Sequence, residues 1–132
     1  MKKFSVATIN LFNLNEPGLP MYKDTQGWSP EQYKRKIAWT AHQIDLLKAD
    51  VMAFQELWHA NSLNEAFKQS SMAGGYQLLV PPDATGKKII CAAAVRQGIP
   101  VESVEWIEDF PDSFVLGSSG GDAQTPAISV AI

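Results

Sequence analysis

The chain lacks the sequence marks of a disulfide-stabilised, exported or membrane-spanning protein. Cys91 is its only cysteine, so no internal disulfide can form. No apolar run approaches the length of a membrane span. The segment after Met1-Lys2-Lys3 is interrupted by Asn10, Asn13 and Asn15 before a signal-peptide core could form. We therefore expect a soluble, cytoplasmic protein.

An excess of positive charge is also missing. The 11 basic and 14 acidic residues give a net charge of −3, which provides no strong overall field for duplex DNA. Nucleic acid stays open as a partner but is not favoured. The densest basic run, Lys34-Arg35-Lys36, could contact a phosphate backbone, although its neighbours Tyr33 and Ile37 favour a solvated helix face.

Two common kinds of binding motif are absent. Gly74-Gly75 and the glycines of 117–121 match neither a dinucleotide fingerprint nor a P-loop. No Cys and His cluster has the spacing of a zinc site. What is present is the composition of an ordinary globular domain, with 45% hydrophobic and 19% charged residues in a chain of 132, enough for one core.

The first third of the chain predicts a strand, a helix and a second strand. Residues 3–12 are rich in β-branched and aromatic types, and residues 13–28 are dense in turn formers. Ser29-Pro30-Glu31-Gln32 has the pattern of a capping box and starts a helix that runs to about Lys48. The apolar run 50–55 follows as a strand, so we expect a crossover between two parallel strands.

The remainder predicts one more helix and several strands in a single domain covering 1–132. The fold class is α/β (α+β in some schemes), a mixed sheet with helices on one face. One sheet face then lacks a partner layer, and the chain stops inside an apolar run, so we expect either a missing carboxyl-terminal half or a second subunit to cover it. The predicted elements are a helix at 61–71 and strands at 76–80, 89–95, 104–107 and 127–132, with a long loop at 108–126.

Two polar residues are expected to meet at one edge of this sheet. Asn10 lies near the carboxyl end of the first strand and Glu56 just past the carboxyl end of the second, where open α/β sheets carry their ligand sites. An amide oxygen and a carboxylate suit Mg²⁺, which takes oxygen ligands and keeps several waters. The alternative is that Asn10 bonds the neighbouring loop backbone and Glu56 is solvated.

Four segments together resemble the endonuclease/exonuclease/phosphatase superfamily, the deoxyribonuclease-I-like group. They are Ala7-Thr8-Ile9-Asn10-Leu11, the segment from Ala49 to the Gln55-Glu56 pair, Cys91 to Arg96, and Pro126 to Ile132. The resemblance rests on their order and spacing more than on any one of them. Thr125 departs from it, because the family often has an Arg before the Pro.

The resemblance implies a fold, a cofactor and an activity. The fold would be half of a four-layer αββα sandwich. Asn10 and Glu56 would be the Mg²⁺ residues, with Mn²⁺ as a substitute ion, and the parent enzyme would hydrolyse a phosphoester as a phosphodiesterase, nuclease or phosphatase. The family's downstream Asp-Asn and Asp-His pairs have no counterpart before Ile132, so we expect no confident catalytic residue here and little activity from residues 1–132 alone.

Two further residues are candidates for substrate binding, and one rival function stays open. Trp58 and His59 follow Glu56 closely, although a Trp more often packs in the core and His59 could be a simple loop residue. His42 on the first helix is expected to be a surface residue. The rival is a non-catalytic α/β binding or assembly module that is completed by a partner chain.

Overall fold

A computed structural model describes residues 3–23, 25–108 and 127–132. The described part of the chain contains two helices and six strands. In chain order they are β1 (Val6–Leu14), α1 (Pro30–Leu47), β2 (Val51–His59), α2 (Ala60–Gln69), β3 (Tyr76–Leu79), β4 (Thr85–Arg96), β5 (Ser103–Ile107) and β6 (Ala127–Ala131). None of the helices described is long and apolar enough to cross a membrane.

The main sheet is mixed, as predicted. Its strand order is β1-β2-β4-β3, and β5 and β6 form a separate two-stranded sheet. β1 runs parallel to β2, which confirms the predicted crossover through α1, whereas β4 is antiparallel to both β2 and β3. The mixed α/β class is therefore confirmed.

Helix α1 begins where the capping box predicted it. The Ser29 hydroxyl accepts from Gln32 N at 3.2 Å, and the Gln32 side chain accepts from Ser29 N at 2.9 Å. The last helical residue is Leu47, and Lys48, the C-cap, has a left-handed backbone and donates its N–H to Ile44 O at 3.1 Å. The start of the helix is thus determined by local sequence.

The two faces of the main sheet have different partners. Both helices pack on one face, over a core that includes Phe54, Ile44 and Leu63, each 0% exposed. The second sheet packs on the other face, where alternate residues of β5 and β6 contact Ala93 and Val95. The face predicted to be bare is therefore covered in part, because these alternate positions are apolar. They are Val104, Trp106, Ile128 and Val130.

Strand boundaries differ from the sequence prediction at the end of the sheet near Asn10. β2 continues to His59 instead of ending at 55, and β4 starts at Thr85, which pairs with His59, instead of at 89. Residues 85–88, which lie outside the predicted strand, belong to β4. The pairing of β2 with β4 contains two register shifts in this region. Helix α2 ends at Gln69, slightly before the predicted end at 71, and Ser70 is its C-cap. Most of the predicted loop, 109–126, lies outside the described residues.

Candidate functional site

The structure brings the two predicted metal residues to the same edge of the sheet. Asn10 aligns with Gln55 on the adjacent parallel strand, and Glu56 is the next residue. After Asn10 the register shifts, so that Leu14 aligns with Leu57. Glu56 therefore lies within a bulged part of β2, not beyond its end, which corrects the predicted position.

The backbone at this edge is unusual. Phe12, Asn13 and Glu56 have φ angles of 51°, 57° and 59°, a left-handed conformation that is unfavourable for residues other than glycine. The fourth such residue in the described chain is Lys48, where helix capping explains it. Backbone strain of this kind tends to concentrate at functional sites. Here it coincides with the ends of two neighbouring strands.

The Asn10 side chain is exposed but not without a partner. Its Oδ1 accepts a hydrogen bond from Phe12 N at 2.8 Å, which is the local loop interaction weighed as the alternative to metal binding. An amide oxygen has two lone pairs, so one remains for a cation. Asn10 can thus hold the bulged loop and still offer an oxygen.

Glu56 is half-buried, and among the described residues its carboxylate has no ion-pair partner. The nearby positive charge belongs to Lys36. Burial lowers the pKa of Lys36, while the charge of Glu56 acts in the opposite direction. A carboxylate without a direct ion-pair partner can bind a metal ion, and the ammonium group of Lys36 opposes that ion but can attract a phosphate.

Lys36 departs from the solvated helix face that the sequence suggested. Its Nζ donates to Phe12 O at 2.6 Å and lies 4.9 Å and 4.6 Å from the ring centroids of Phe12 and Trp28. The helix therefore brings an ammonium group down to the bulged end of β1. This position could not be predicted, because nothing in the basic run Lys34-Arg35-Lys36 distinguishes Lys36 from its two neighbours.

Trp58 is an internal packing residue in this structure. It is 4% exposed, its Nε1 donates to Asn13 Oδ1 at 3.1 Å, and the Tyr22 ring packs edge-on against it. Asn13 also accepts from Tyr22 OH at 2.9 Å and, through its carbonyl, from Trp28 Nε1 at 2.7 Å. Asn13 therefore organises the loop after β1, a role that the run of asparagines at 10, 13 and 15 could have suggested.

His59 lies at the junction of β2 and α2, not on a loop. Its Nε2 is 3.6 Å from Glu16 Oε2, and its Nδ1 is buried with no hydrogen-bond partner among the described residues. The buried Asn15 fixes this region, since its side chain accepts from Glu16 N at 2.8 Å and donates to Gly86 O at 3.0 Å. His42 is exposed on α1, as expected.

Gly86 allows the close approach between β4 and the loop after β1. Its φ is +96°, and a Cβ added there would lie 2.7 Å from Leu19 Cδ1 and 3.0 Å from Asn15 Oδ1. A larger residue would require the Leu19 side chain to move, and it would be strained at this positive φ. The loop that bears Glu16 is therefore held by β4 as well as by β2.

The donor set for a metal is small. Within residues 3–23, 25–108 and 127–132, no three His, Cys, Asp or Glu side chains are grouped closely enough to hold an ion. What the edge offers is one carboxylate and one amide oxygen. This suits Mg²⁺, which retains waters and binds substrate phosphate, and does not suit zinc.

Searches with protein-family models, against curated proteins and against solved structures found no match to this chain.

Proposed function

We propose that this chain supplies the metal side of an Mg²⁺-dependent phosphoester hydrolase, as its resemblance to the endonuclease/exonuclease/phosphatase superfamily implies. The observation that carries the proposal is the position of Glu56. Its carboxylate has no ion-pair partner among the described residues, and it lies on a strained, bulged strand beside Asn10. Residues 1–132 alone are expected to show little hydrolysis.

Each residue at this edge has a distinct part in the proposed chemistry. Glu56 would supply the charged ligand and Asn10 a neutral oxygen. Bound Mg²⁺, or Mn²⁺ in its place, would polarise the phosphate and stabilise negative charge on the leaving oxygen. Lys36, whose charge interacts with that of Glu56, would add a positive charge for the phosphate. His59, whose Nε2 lies 3.6 Å from Glu16 Oε2, is a weaker candidate for substrate contact. Trp58 packs internally and is not proposed to touch the substrate.

The proposal leaves the attacking water to groups outside the described site. A partner chain would supply them. The substrate would be a phosphoester, and the reaction would take place in the cytoplasm. Removing groups that orient the water costs orders of magnitude in rate. The metal side is therefore tested by binding and not by turnover.

The test is Mg²⁺-dependent thermal stabilisation. Millimolar MgCl₂ should raise the melting temperature of the wild-type chain, since a ligand at ~100 times its Kd stabilises by about 2.7 kcal/mol. Glu56→Gln should abolish the shift, whereas Glu102→Gln, at an exposed position before β5, should retain it. An equal Mg²⁺ shift in wild type and Glu56→Gln would refute the metal site.

One observation favours the second candidate, a non-catalytic assembly module. The outer side of β1 and the residues before it are exposed, with Val6 67% and Phe4 51% accessible. An apolar edge strand of this kind is a common pairing surface. A discrete dimer or heterocomplex in light scattering, with melting insensitive to Mg²⁺, would support the module over the hydrolase.

A further inference from the structure

A groove on α1 lies next to the candidate metal site. Its volume is about 430 Å³, within the ~300–1,000 Å³ typical of small-molecule sites. Aromatic rings from the end of β1, the loop and the helix form much of its wall. Its lining residues are Phe12, Trp28, Gln32, Arg35, Lys36 and Trp39.

The aromatic rings of this groove are unusually accessible. Phe12 is 65% exposed and Trp39 is 50% exposed. Trp28 is half-buried, with its ring centroid 6.3 Å from that of Phe12. Folding normally buries rings of this size, and accessible ones beside polar groups are typical of binding surfaces. A flat aromatic ligand could contact the face or the edge of each of these three rings.

The same groove carries two positive charges. Lys36 lies over the rings of Phe12 and Trp28, and Arg35 is exposed and forms no ion pair with the described residues. A guanidinium group at the rim matches the geometry of a phosphate. Lys36 also donates to Phe12 O at the bulged end of β1. The groove therefore shares Phe12 and Lys36 with the region of the candidate metal residues.

We infer that the groove formed by Phe12, Trp28, Trp39, Arg35 and Lys36 binds the base and phosphate of a nucleotide. The base contacts the exposed rings, and the phosphate lies between Arg35 and Lys36. This inference rests on the proposed function, which supplies the phosphoester bond that is cleaved. It narrows the substrate to a nucleotide phosphoester with an unpaired base. Stacking does not need a large net positive charge, so the net charge of −3 is compatible with such a ligand.

Binding of adenosine 5′-monophosphate in EDTA tests the groove without the metal site. Calorimetric titration of the wild-type chain should give measurable binding. Trp39→Ala should weaken it about tenfold, since loss of base stacking has effects of this order. Leu46→Ala, at a 65% exposed position further along α1, is the matched control and should leave the affinity unchanged.

The phosphate contact has its own pair of variants. Arg35→Gln should weaken binding of adenosine 5′-monophosphate several-fold without changing the binding of adenosine. Lys34→Gln removes the same charge from a residue that lines a different groove, between the two helices, and should have no effect. Because the titrations are made in EDTA, a failure of the metal site leaves this binding intact, and the two failures are distinguishable.

Three results would overturn the inference. The first is no binding of adenosine 5′-monophosphate by a folded wild-type chain. The second is an equal loss of affinity for adenosine 5′-monophosphate in Trp39→Ala and Leu46→Ala. The third is binding to phosphatidylserine vesicles that Trp39→Ala abolishes, together with no nucleotide binding, which would identify the groove as a membrane-contact surface.

Discussion

Arg96 donates a hydrogen bond from Nε to the Asp50 carboxylate across 3.1 Å, at the edge of the sheet opposite Glu56. The same carboxylate accepts from Ser5 N at 2.9 Å and from the Ser5 hydroxyl at 3.0 Å. These bonds join the start of β1, the start of β2 and the end of β4. Asp50 and Glu56 lie six positions apart in one sequence motif but have different roles. Asp50 links neighbouring strands by hydrogen bonds, and Glu56 belongs to the candidate site.

The Asp50 interactions should make folding stability depend on pH. The Ser5 backbone N–H, then its hydroxyl, then Arg96 lower the pKa of Asp50 below its ordinary value of 3.8. A carboxylate with a lowered pKa stabilises the fold above about pH 4, and this contribution is lost as the pH falls through the folded-state pKa. We expect Asp50→Asn to lower the melting temperature at pH 7 and to flatten its decline below pH 4.

Asp83 provides the comparison for that experiment. Its pKa is also lowered, chiefly by a hydrogen bond from Lys88, but the pair is exposed and joins a turn to its own strand. Exposed pairs contribute little to stability. Asp83→Asn should therefore change the decline of the melting temperature below pH 4 less than Asp50→Asn does. Equal effects of the two variants would contradict the strand-fastening role of Asp50.

Much of the fold followed from local sequence. The capping box at Ser29 predicted the start of α1, because helix ends depend on residues within a few positions. The parallel pairing of β1 and β2 followed from the crossover rule. The ends of β2 and β4 did not, since the pairing of His59 with Thr85 is a long-range contact between polar segments.

The candidate site was predictable only in outline. Sequence order and topology brought Asn10 and Glu56 to one edge of the sheet. The loop bonds of Asn13 and the approach of Lys36 to Phe12 depend on how α1 lies over β1, and no local pattern encodes that. The burial of Trp58 likewise arises from a tertiary contact, the edge-on packing of Tyr22.

The core beneath α2 should be sensitive to truncation at Phe54. This side chain is 0% exposed and meets Phe67 edge to face, with ring centroids 6.1 Å apart. Phe54→Ala should lower the free energy of unfolding by about 3–5 kcal/mol, measured by urea denaturation. Phe4→Ala, at a position that is 51% exposed, should cost ~1 kcal/mol or less. Similar losses for both would mean that Phe54 is not part of a packed core.

Lys36 should influence metal and phosphate in opposite directions. Its positive charge opposes a nearby divalent cation and attracts an anion. Lys36→Met should therefore tighten Mg²⁺ binding several-fold, read from the MgCl₂ dependence of melting, and weaken stabilisation by inorganic phosphate. Lys34→Met, on the neighbouring groove, should change neither. Weaker Mg²⁺ binding in Lys36→Met would show that Lys36 positions the metal ligands and does not repel the ion.

The left-handed backbone of Glu56 can be separated from its carboxylate by comparing two substitutions. Glu56→Ala and Glu56→Gly both remove the carboxylate, so both should lose the Mg²⁺ shift. Only alanine keeps a Cβ at φ 59°, which costs ~1–2 kcal/mol, whereas glycine costs ~0.4–1 kcal/mol through the unfolded chain. We therefore expect Glu56→Gly to be the more stable variant by about 1 kcal/mol in denaturant titration without metal.

Lys48 supplies the control for this comparison. It has a similar backbone at φ 44° as a helix cap, and it lies at the opposite end of the sheet, where its carbonyl accepts from Arg96. Lys48→Gly should likewise be more stable than Lys48→Ala, but both should retain the Mg²⁺ shift. If Glu56→Gly is no more stable than Glu56→Ala, while Lys48→Gly is more stable than Lys48→Ala, the backbone at Glu56 is relaxed in solution. Suppose that glycine is more stable than alanine at both positions and that only the Glu56 variants lose the Mg²⁺ shift. The fold then tolerates backbone strain at Glu56 to present a metal ligand.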